Sequence, residues 1–313
     1  MGSDRAVDVT EARSDGDLRI WVDVCNRASP CRPEGPRTLS HLWEQAPDWT
    51  AVIAWRGGTP VGCAHVEVEH LSPGSRHAEA TVVVPCDRRR RGIGSALYGE
   101  VSRWAADRGL VGIDVWFDEA DPDPTAFWGH RGFTEVGCEI QSRLDLATAS
   151  IPGAAPPEGI TLATLAGRDD LEQGMYRVGS DGLADIPSVD RYDAGGFAVW
   201  RNAELEKPGL IRECSVVALA GGELAGFALL VRDEARPDVA EHEMTAVARA
   251  WRGRGLAAAM KARQVALARD AGLSALETMN EERNAAILAV NGRLGYRRVT
   301  AHVQVRGPLS ASG

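Results

Sequence analysis

Two short stretches carry the residue types best suited to chemistry. One is Arg89-Arg90-Arg91-Gly92-Ile93-Gly94, followed by Ser95. The other is Arg252-Gly253-Arg254-Gly255-Leu256-Ala257. Both read R-x-x-G-x-G/A, follow an apolar segment and open a segment of helical pattern. Such a turn suits an anion. Gly or Ala lets the backbone come close, successive N–H groups point inward, and a helix N-terminus adds positive potential. Arginine adds charge and forked donors.

The two stretches belong to a duplication. At a shift of 163 residues Gly92 falls on Gly255, Leu97 on Met260, Gly109 on Gly272, Gly132-Phe133 on Gly295-Tyr296 and Val136 on Val299. Upstream, Gly57, Gly58 and Gly62 match Gly221, Gly222 and Gly226 at a shift of 164. The period is too long for a solenoid and fits two copies of one domain. The chain divides into domains 1–146 and 159–313, joined by a linker, 147–158, of small residues with three prolines.

Composition sets the frame. The chain has 313 residues, 44% hydrophobic and 25% charged, enough for two cores. A net charge of −9 argues against nucleic acid as a partner. No apolar run is long enough to span a membrane, and residues 1–6 show neither a secretory nor a myristoylation pattern. Six scattered cysteines, with no C-x-x-C pair, read as reduced thiols of a cytoplasmic protein without a metal site.

The positioning elements repeat. The first copy predicts a strand and a helix over 6–28, a helix over 39–45 and a hairpin over 50–69. A strand over 78–84 then runs into the loop and a helix over 95–107. A strand (110–117), a short helix capped by Asp123 before Pro124, and a strand (136–144) follow. The second copy predicts helices over 171–180 and 194–206, a hairpin over 215–232 and a strand over 239–247. After its loop come a helix (256–270), a strand (273–279), a helix (282–293) and a strand (299–306). Strand–helix–strand crossovers are parallel and hairpins antiparallel, so each sheet must be mixed.

At these residues the chain resembles the GCN5-related N-acetyltransferase (GNAT) superfamily, over about 6–146 and 159–307, and is similar to actinobacterial members with two such domains. The resemblance implies an α/β (mixed α+β) fold: two tandem GNAT folds, each a mixed, partly splayed central sheet flanked by helices. It implies that the loop amides hold the pyrophosphate of acetyl-CoA or another acyl-CoA. The preceding strand, Val82, Val83 and Val84 or Thr245, Ala246 and Val247, would lie along the pantetheine arm. Asn284 and Asn291, two helical turns apart, would share a face bordering the cofactor, with Asn280 as a further cofactor residue or the helix cap. The family's usual tyrosine is missing: Trp128 and Asn291 stand in its place.

Acyl transfer to an amine needs a base, a donor for the carbonyl oxygen and a leaving thiolate. The amide of Val247 or of Val84 could be that donor. Glu241 and Glu243, alternating onto the face of Thr245 and Val247, are candidate catalytic bases. Glu79 is the counterpart in the first copy, and His242 could substitute. The asparagine-bearing helix favours the second copy for catalysis, with the first binding CoA or being structural. The acceptor expected is a small-molecule amine, and the molecule a monomer or homodimer. Two other readings remain open: a non-catalytic CoA-binding scaffold, and transfer of another acyl group from CoA or a carrier-protein thioester.

Overall fold

The computed structural model describes residues 6–29, 33–69, 71–149 and 155–310. Cys31, the linker's centre (150–154) and residues 1–5 lie outside the described residues. The chain packs as two compact units: Met1–Val136 with Val303–Gly313, and Gly137–His302.

The elements of the first repeat are β1 (Asp8–Glu11), α1 (Asp15–Ala28), α2 (Pro36–Gln45), β2 (Trp49–Arg56), β3 (Thr59–Val68), β4 (His77–Val83), α3 (Ile93–Asp107), β5 (Gly112–Asp118), α4 (Pro122–Gly129) and β6 (Thr134–Asp145). A capping box starts α1: Ser14 Oγ accepts from the Asp17 amide at 3.2 Å, and Asp17 accepts from the Ser14 amide at 3.0 Å. The α4 cap is Asp121, with Pro122 first in the helix, not Asp123 with Pro124. Two Asp-Pro pairs stand in succession, and the earlier one starts the helix.

The second repeat contains β7 (Ile160–Thr164), α5 (Glu172–Leu183), α6 (Phe197–Leu205), β8 (Val216–Ala220), β9 (Glu223–Arg232), β10 (Val239–Val247), α7 (Leu256–Asp270), β11 (Ala275–Glu281), α8 (Ala285–Arg293) and β12 (Arg297–Pro308). β7 is an edge strand that the sequence pattern alone does not announce. Each sheet is mixed. β4–β5 and β10–β11 pair in parallel, and the hairpins are antiparallel. Among the described residues no helix is long and apolar enough to cross a membrane.

The repeats and the compact units divide the chain differently, because each repeat gives its last strand away. Unit 1 orders its strands β1-β2-β3-β4-β5 and then the far end of β12. In unit 2 the near end of β12 precedes β6-β11-β10-β9-β8-β7. One repeated ion pair pins both exchanges. In unit 1 Arg306 donates to Asp114 through Nε and Nη2, both at 2.7 Å. In unit 2 the equivalent Arg143 pairs with Glu277, which also accepts two bonds from Arg236 at 3.0 and 2.9 Å. Forked arginine–carboxylate geometry makes these pairs directional as well as attractive.

Helices cover both faces of each sheet. In unit 1 Trp21, Val24, Trp43, Ile53 and Cys63 pack under α1 and α2, while Ile93, Leu97 and Val101 of α3 join Ala64, Val66 and Ile113 on the other face. A Cβ at Gly62 would lie 2.8 Å from Ile93, and one at Gly226 only 3.1 Å from Met260. Glycine there lets α3 and α7 settle onto the sheet, with their N-termini beside the strand that feeds each loop.

The exchange predicts a pattern of couplings. A double-mutant cycle between Asp114→Asn and Arg306→Gln should give a coupling of about 2–3 kcal/mol in unfolding free energy, near the lower end of what breaking a buried pair costs. Asp114→Asn with Arg143→Gln should give additive losses. Coupling of Asp114 to Arg143 instead would return each last strand to its own repeat.

Candidate active site

The two loops have one backbone. After a single 3-10 turn, Arg89 and Arg252 are extended (φ −65° and −66°). Arg90 and Gly253 are left-handed at φ 62° and 73°, as are Gly92 and Gly255 at 82° and 81°. Arg90 is the sole non-glycine residue with positive φ among the described residues. Few non-glycine residues take that conformation, and such outliers gather at functional sites. The first intrahelical bonds run from the Ala96 amide to Gly92 and from the Ala259 amide to Gly255, each 3.0 Å. The amides before them, at Ile93, Gly94 and Ser95 and at Leu256, Ala257 and Ala258, head their helices without an intrahelical acceptor, the arrangement that binds anions.

The leading arginine of each motif braces the turn. Arg89 Nε donates to the Val84 carbonyl at 3.0 Å, and Arg252 Nε to that of Val247 at 2.9 Å. The rest of the Arg89 guanidinium holds Asp121 at 2.6 and 2.9 Å and Asp123 at 3.0 Å. Burial works against ionisation of Asp121, but these bonds hold its carboxyl below the ordinary value. Arg252 pairs with Asp185 beyond the end of α5. Their charge is therefore largely committed to the fold.

In unit 1 the loop borders a cleft of about 280 Å³. Val82 and Val84 form one wall; Arg90, Gly92, Gly94 and Ser95 line its loop end; Phe127, His130 and Arg131 face them. Arg131 stacks 3.7 Å above the Phe127 ring and donates to Ser95 Oγ at 2.8 Å. A cation thus stands at the head of α3 that the motif did not reveal. The repeat could not reveal it either, since Val290 and Leu294 replace Phe127 and Arg131 in the second copy. Val83, expected along the cofactor, packs instead against the α1 cluster, because strand alternation turns it to the other face. The Arg91 carbonyl is taken by Arg56 at 2.9 Å. Ile93 and Leu256 anchor in the cores, leaving only their amides for a ligand.

Both sheets splay where the loops begin. Parallel pairing ends at Ala80–Val115 in unit 1 and at His242–Thr278 in unit 2, although all four strands continue. Unit 2 adds a bulge. His242 pairs with Leu230 but Thr245 with Ala228, so β10 carries one residue more than β9 between them. This overturns the alternation expected for Glu241 and Glu243. Beyond the bulge Met244 and Ala246 turn toward α5 and Val247 toward α7. The two glutamates share a neighbour, Lys207, rather than a face with Thr245 and Val247.

Around Lys207, 12% exposed, unit 2 gathers acids. Glu243 bonds its ammonium directly. Glu204, on α6, has an Oε2 buried without a hydrogen-bond partner, and burial lifts its carboxyl to about 7 against the pull of Lys207. Nothing local in the sequence marks Glu204. His242 is sealed in the core, 4% exposed, against Tyr296; burial and then Lys261 push it well below the ordinary imidazole value, so it cannot serve as a solvent-facing base.

The asparagines of the second copy divide between two roles. Asn284 is the α8 cap, accepting from Ile287 at 3.4 Å. Asn280 lies in β11 and accepts from Asn291, 2% exposed, at 2.7 Å. Asn291 is thus drawn into a buried clamp between strand and helix and away from an open face, while Asn284 stays half-buried at the helix head. In unit 1, burial and then Glu69 push Glu67 to about 8; burial, Glu69, Glu67 and Asp114 together hold Glu79 well above the carboxylate range.

Helix-head cradles beside a splayed mixed sheet, present twice, define a class of coenzyme-dependent transferases. The Acetyltransferase (GNAT) family model matches residues 19–133 and 184–296, and the chain belongs to that family of acetyltransferases. It is similar to the mycothiol acetyltransferase of Parafrankia sp. (strain EAN1pec), 26% identical over 79% of this chain and 81% of the relative. The Salinispora tropica protein of that name is 28% identical over 92% and 91%. Among solved structures, a tandem GNAT protein from the clavulanic acid biosynthesis pathway superposes with TM-score 0.79 at 21% identity, covering 98% of this chain and 100% of that one. A GCN5-related N-acetyltransferase from Sphaerobacter thermophilus gives 0.73 at 18%, covering 98% and 97%. At those identities the structures speak for the fold alone.

Two measurements probe these groups. Arg131→Leu, which installs the second copy's residue, should weaken one class of coenzyme A site about tenfold by calorimetry, as loss of a charge-assisted donor costs; unchanged affinity would remove Arg131 from the cradle. Glu67 has a folded value of about 8 against an ordinary 4.5. Its contribution to stability is therefore complete below about pH 4.5 and is lost as pH rises through about 8. The wild-type melting temperature minus that of Glu67→Gln should fall across this window, and a flat difference contradicts the assignment.

Proposed function

We propose that the protein is an acetyl-CoA-dependent N-acetyltransferase acting on the amine of a small molecule, with transfer in unit 2 and a further coenzyme site in unit 1. The observation that carries it is the pair of turns with matching dihedral angles, each placing helix-head amides beside a splay. The names of the relatives, which pair acetyl transfer with mycothiol, support a small-molecule acceptor.

Bound acetyl-CoA supplies a thioester open to attack by an amine. The chain's own residues do the rest. Amides at Ile93, Gly94 and Ser95, with Arg131, receive diphosphate in unit 1; those at Leu256, Ala257 and Ala258 do so in unit 2, with Gly253 and Arg254 on the same turn. Val82 and Val84, or Thr245 and Val247, present strand edge to the coenzyme arm. In unit 2 the bulge interrupts the β9–β10 ladder just where β10 parts from β11. Backbone amides from Glu243 to Val247 then border the gap, where they can meet charge growing on the carbonyl oxygen. Glu243, placed by Lys207, takes the proton of the attacking amine, with Glu204 on the same lysine to share it. Glu241 lies one step back on the ladder and completes the charge around Lys207.

Glu243→Gln should lower kcat/KM about 100-fold, the lower range for a positioned base, while leaving coenzyme A binding intact. A variant as fast as the wild type would take transfer out of unit 2.

A further inference from the structure

The core of unit 2 holds a group of polar side chains that acyl transfer does not use. Lys261, on α7, is 1% exposed and has no carboxylate partner among the described residues. Its Nζ lies 5.3 Å from the centre of the Tyr296 ring. His242 and Gln264 are sealed in beside each other. His242 Nε2 meets the Tyr296 hydroxyl, and Gln264 Nε2 donates to the Ala228 carbonyl at 2.9 Å. Two atoms of the group are buried outside normal hydrogen-bonding geometry of any partner, His242 Nδ1 and Gln264 Oε1. The amide oxygen can only accept, and so can Nδ1 when Nε2 keeps the proton.

Unit 1 builds the same core without them. At the shift of 163 residues Tyr98, Val101 and Phe133 replace Lys261, Gln264 and Tyr296, and Tyr98 is bonded to the Pro308 carbonyl at 2.7 Å. Buried polar atoms without partners cost stability, so the group in unit 2 calls for a use. Its place suggests one. About 7.5 Å of helix separates Lys261 from Leu256 at the head of α7. His242 is the last residue of β10 paired with both neighbours before the splay and the bulge. β8, β9, β11 and α8 meet α7 through Ala218, Leu230, Leu276 and Val290, and Arg263 on α7 itself is exposed. The titratable groups facing Lys261 are therefore His242 and Tyr296. Burial alone governs the lysine and brings it down to about 7.

We propose that Lys261 is the buried counter-charge of the unit 2 cradle: when a diphosphate is received at the head of α7, the lysine takes a proton from solvent and becomes an ammonium. This rests on the reading of that head as the diphosphate site. Negative charge about 10 Å away favours the ammonium over the amine, and the core offers little water to screen it. Gln264 Oε1 and His242 Nδ1 are acceptors for the new donor, and the Tyr296 ring faces the same cation. His242 stays neutral, held well below the ordinary imidazole value by burial and then by Lys261. One proton thus leaves the buffer and ends on Nζ, and no bond to the coenzyme forms. Unit 1, with Tyr98 in that position, takes up no proton there.

The test titrates coenzyme A calorimetrically into the full chain at pH 7.5, in two buffers of different ionisation enthalpy. Wild type should take up about half a proton more than Lys261→Met, as expected when a lysine at about 7 moves to about 8 on binding. Methionine is close to lysine in length and suits apolar surroundings, so the fold should survive. The wild type alone gives a second readout. Its affinity at one class of sites should fall about fivefold from pH 7 to pH 9, as the ammonium form is lost. Coenzyme binding with equal proton counts in the two proteins, or with affinity flat from pH 7 to pH 9, would overturn this proposal alone. No coenzyme binding at all would remove the cradles and the proposal together.

Discussion

A helix that begins from a left-handed residue leaves its first amides aimed outward with nothing to bind, and both units are arranged around that unmet demand. Gly92 and Gly255 make the start possible, at φ 82° and 81°. The glycines at 62 and 226 let the helix lie close to the sheet, which brings its head level with the end of the feeding strand. Arg89 and Arg252 tie the turn to that strand's last carbonyl. Amides so aimed are the kind that bind anions, and the proposed function assigns them the coenzyme's diphosphate, with the splayed sheet beyond for its arm.

The two copies kept this device and parted elsewhere. Unit 1 has Arg131 and Phe127 beside the turn, a defined cleft, and an uninterrupted β3–β4 ladder. Unit 2 has Leu294 and Val290 in those places, a bulged β10, and acids gathered on Lys207. The function proposed above rests on these differences, giving coenzyme binding to the first and proton transfer to the second. The exchange of last strands binds these specialised halves into one folding problem, since neither sheet is finished by its own repeat.

Much of the frame was legible because it is local. The loops, the helices behind them and the hairpins follow from glycine positions and apolar periodicity within a few residues. The strand exchange was not legible. Arg143 and Arg306 are equivalent by repetition, as are Asp114 and Glu277, so either pairing satisfies the same residue types and only the tertiary path decides. The bulge was equally hidden: one extra residue at Glu243–Met244 leaves no mark in an alternating strand, yet reverses every face beyond it. Arg131 and Glu204 belong to no motif and reach their sites only through packing. The burial of Asn291 is hidden because helical spacing reports a shared face without saying whether that face is open.

The most direct test is a crystal structure of the full chain with coenzyme A. The account predicts diphosphate oxygens at hydrogen-bonding distance, about 3 Å, from amides at the head of α3, of α7 or of both, with the strand-end brace from Arg89 or Arg252 unchanged. Coenzyme bound with its diphosphate away from both helix heads would contradict it.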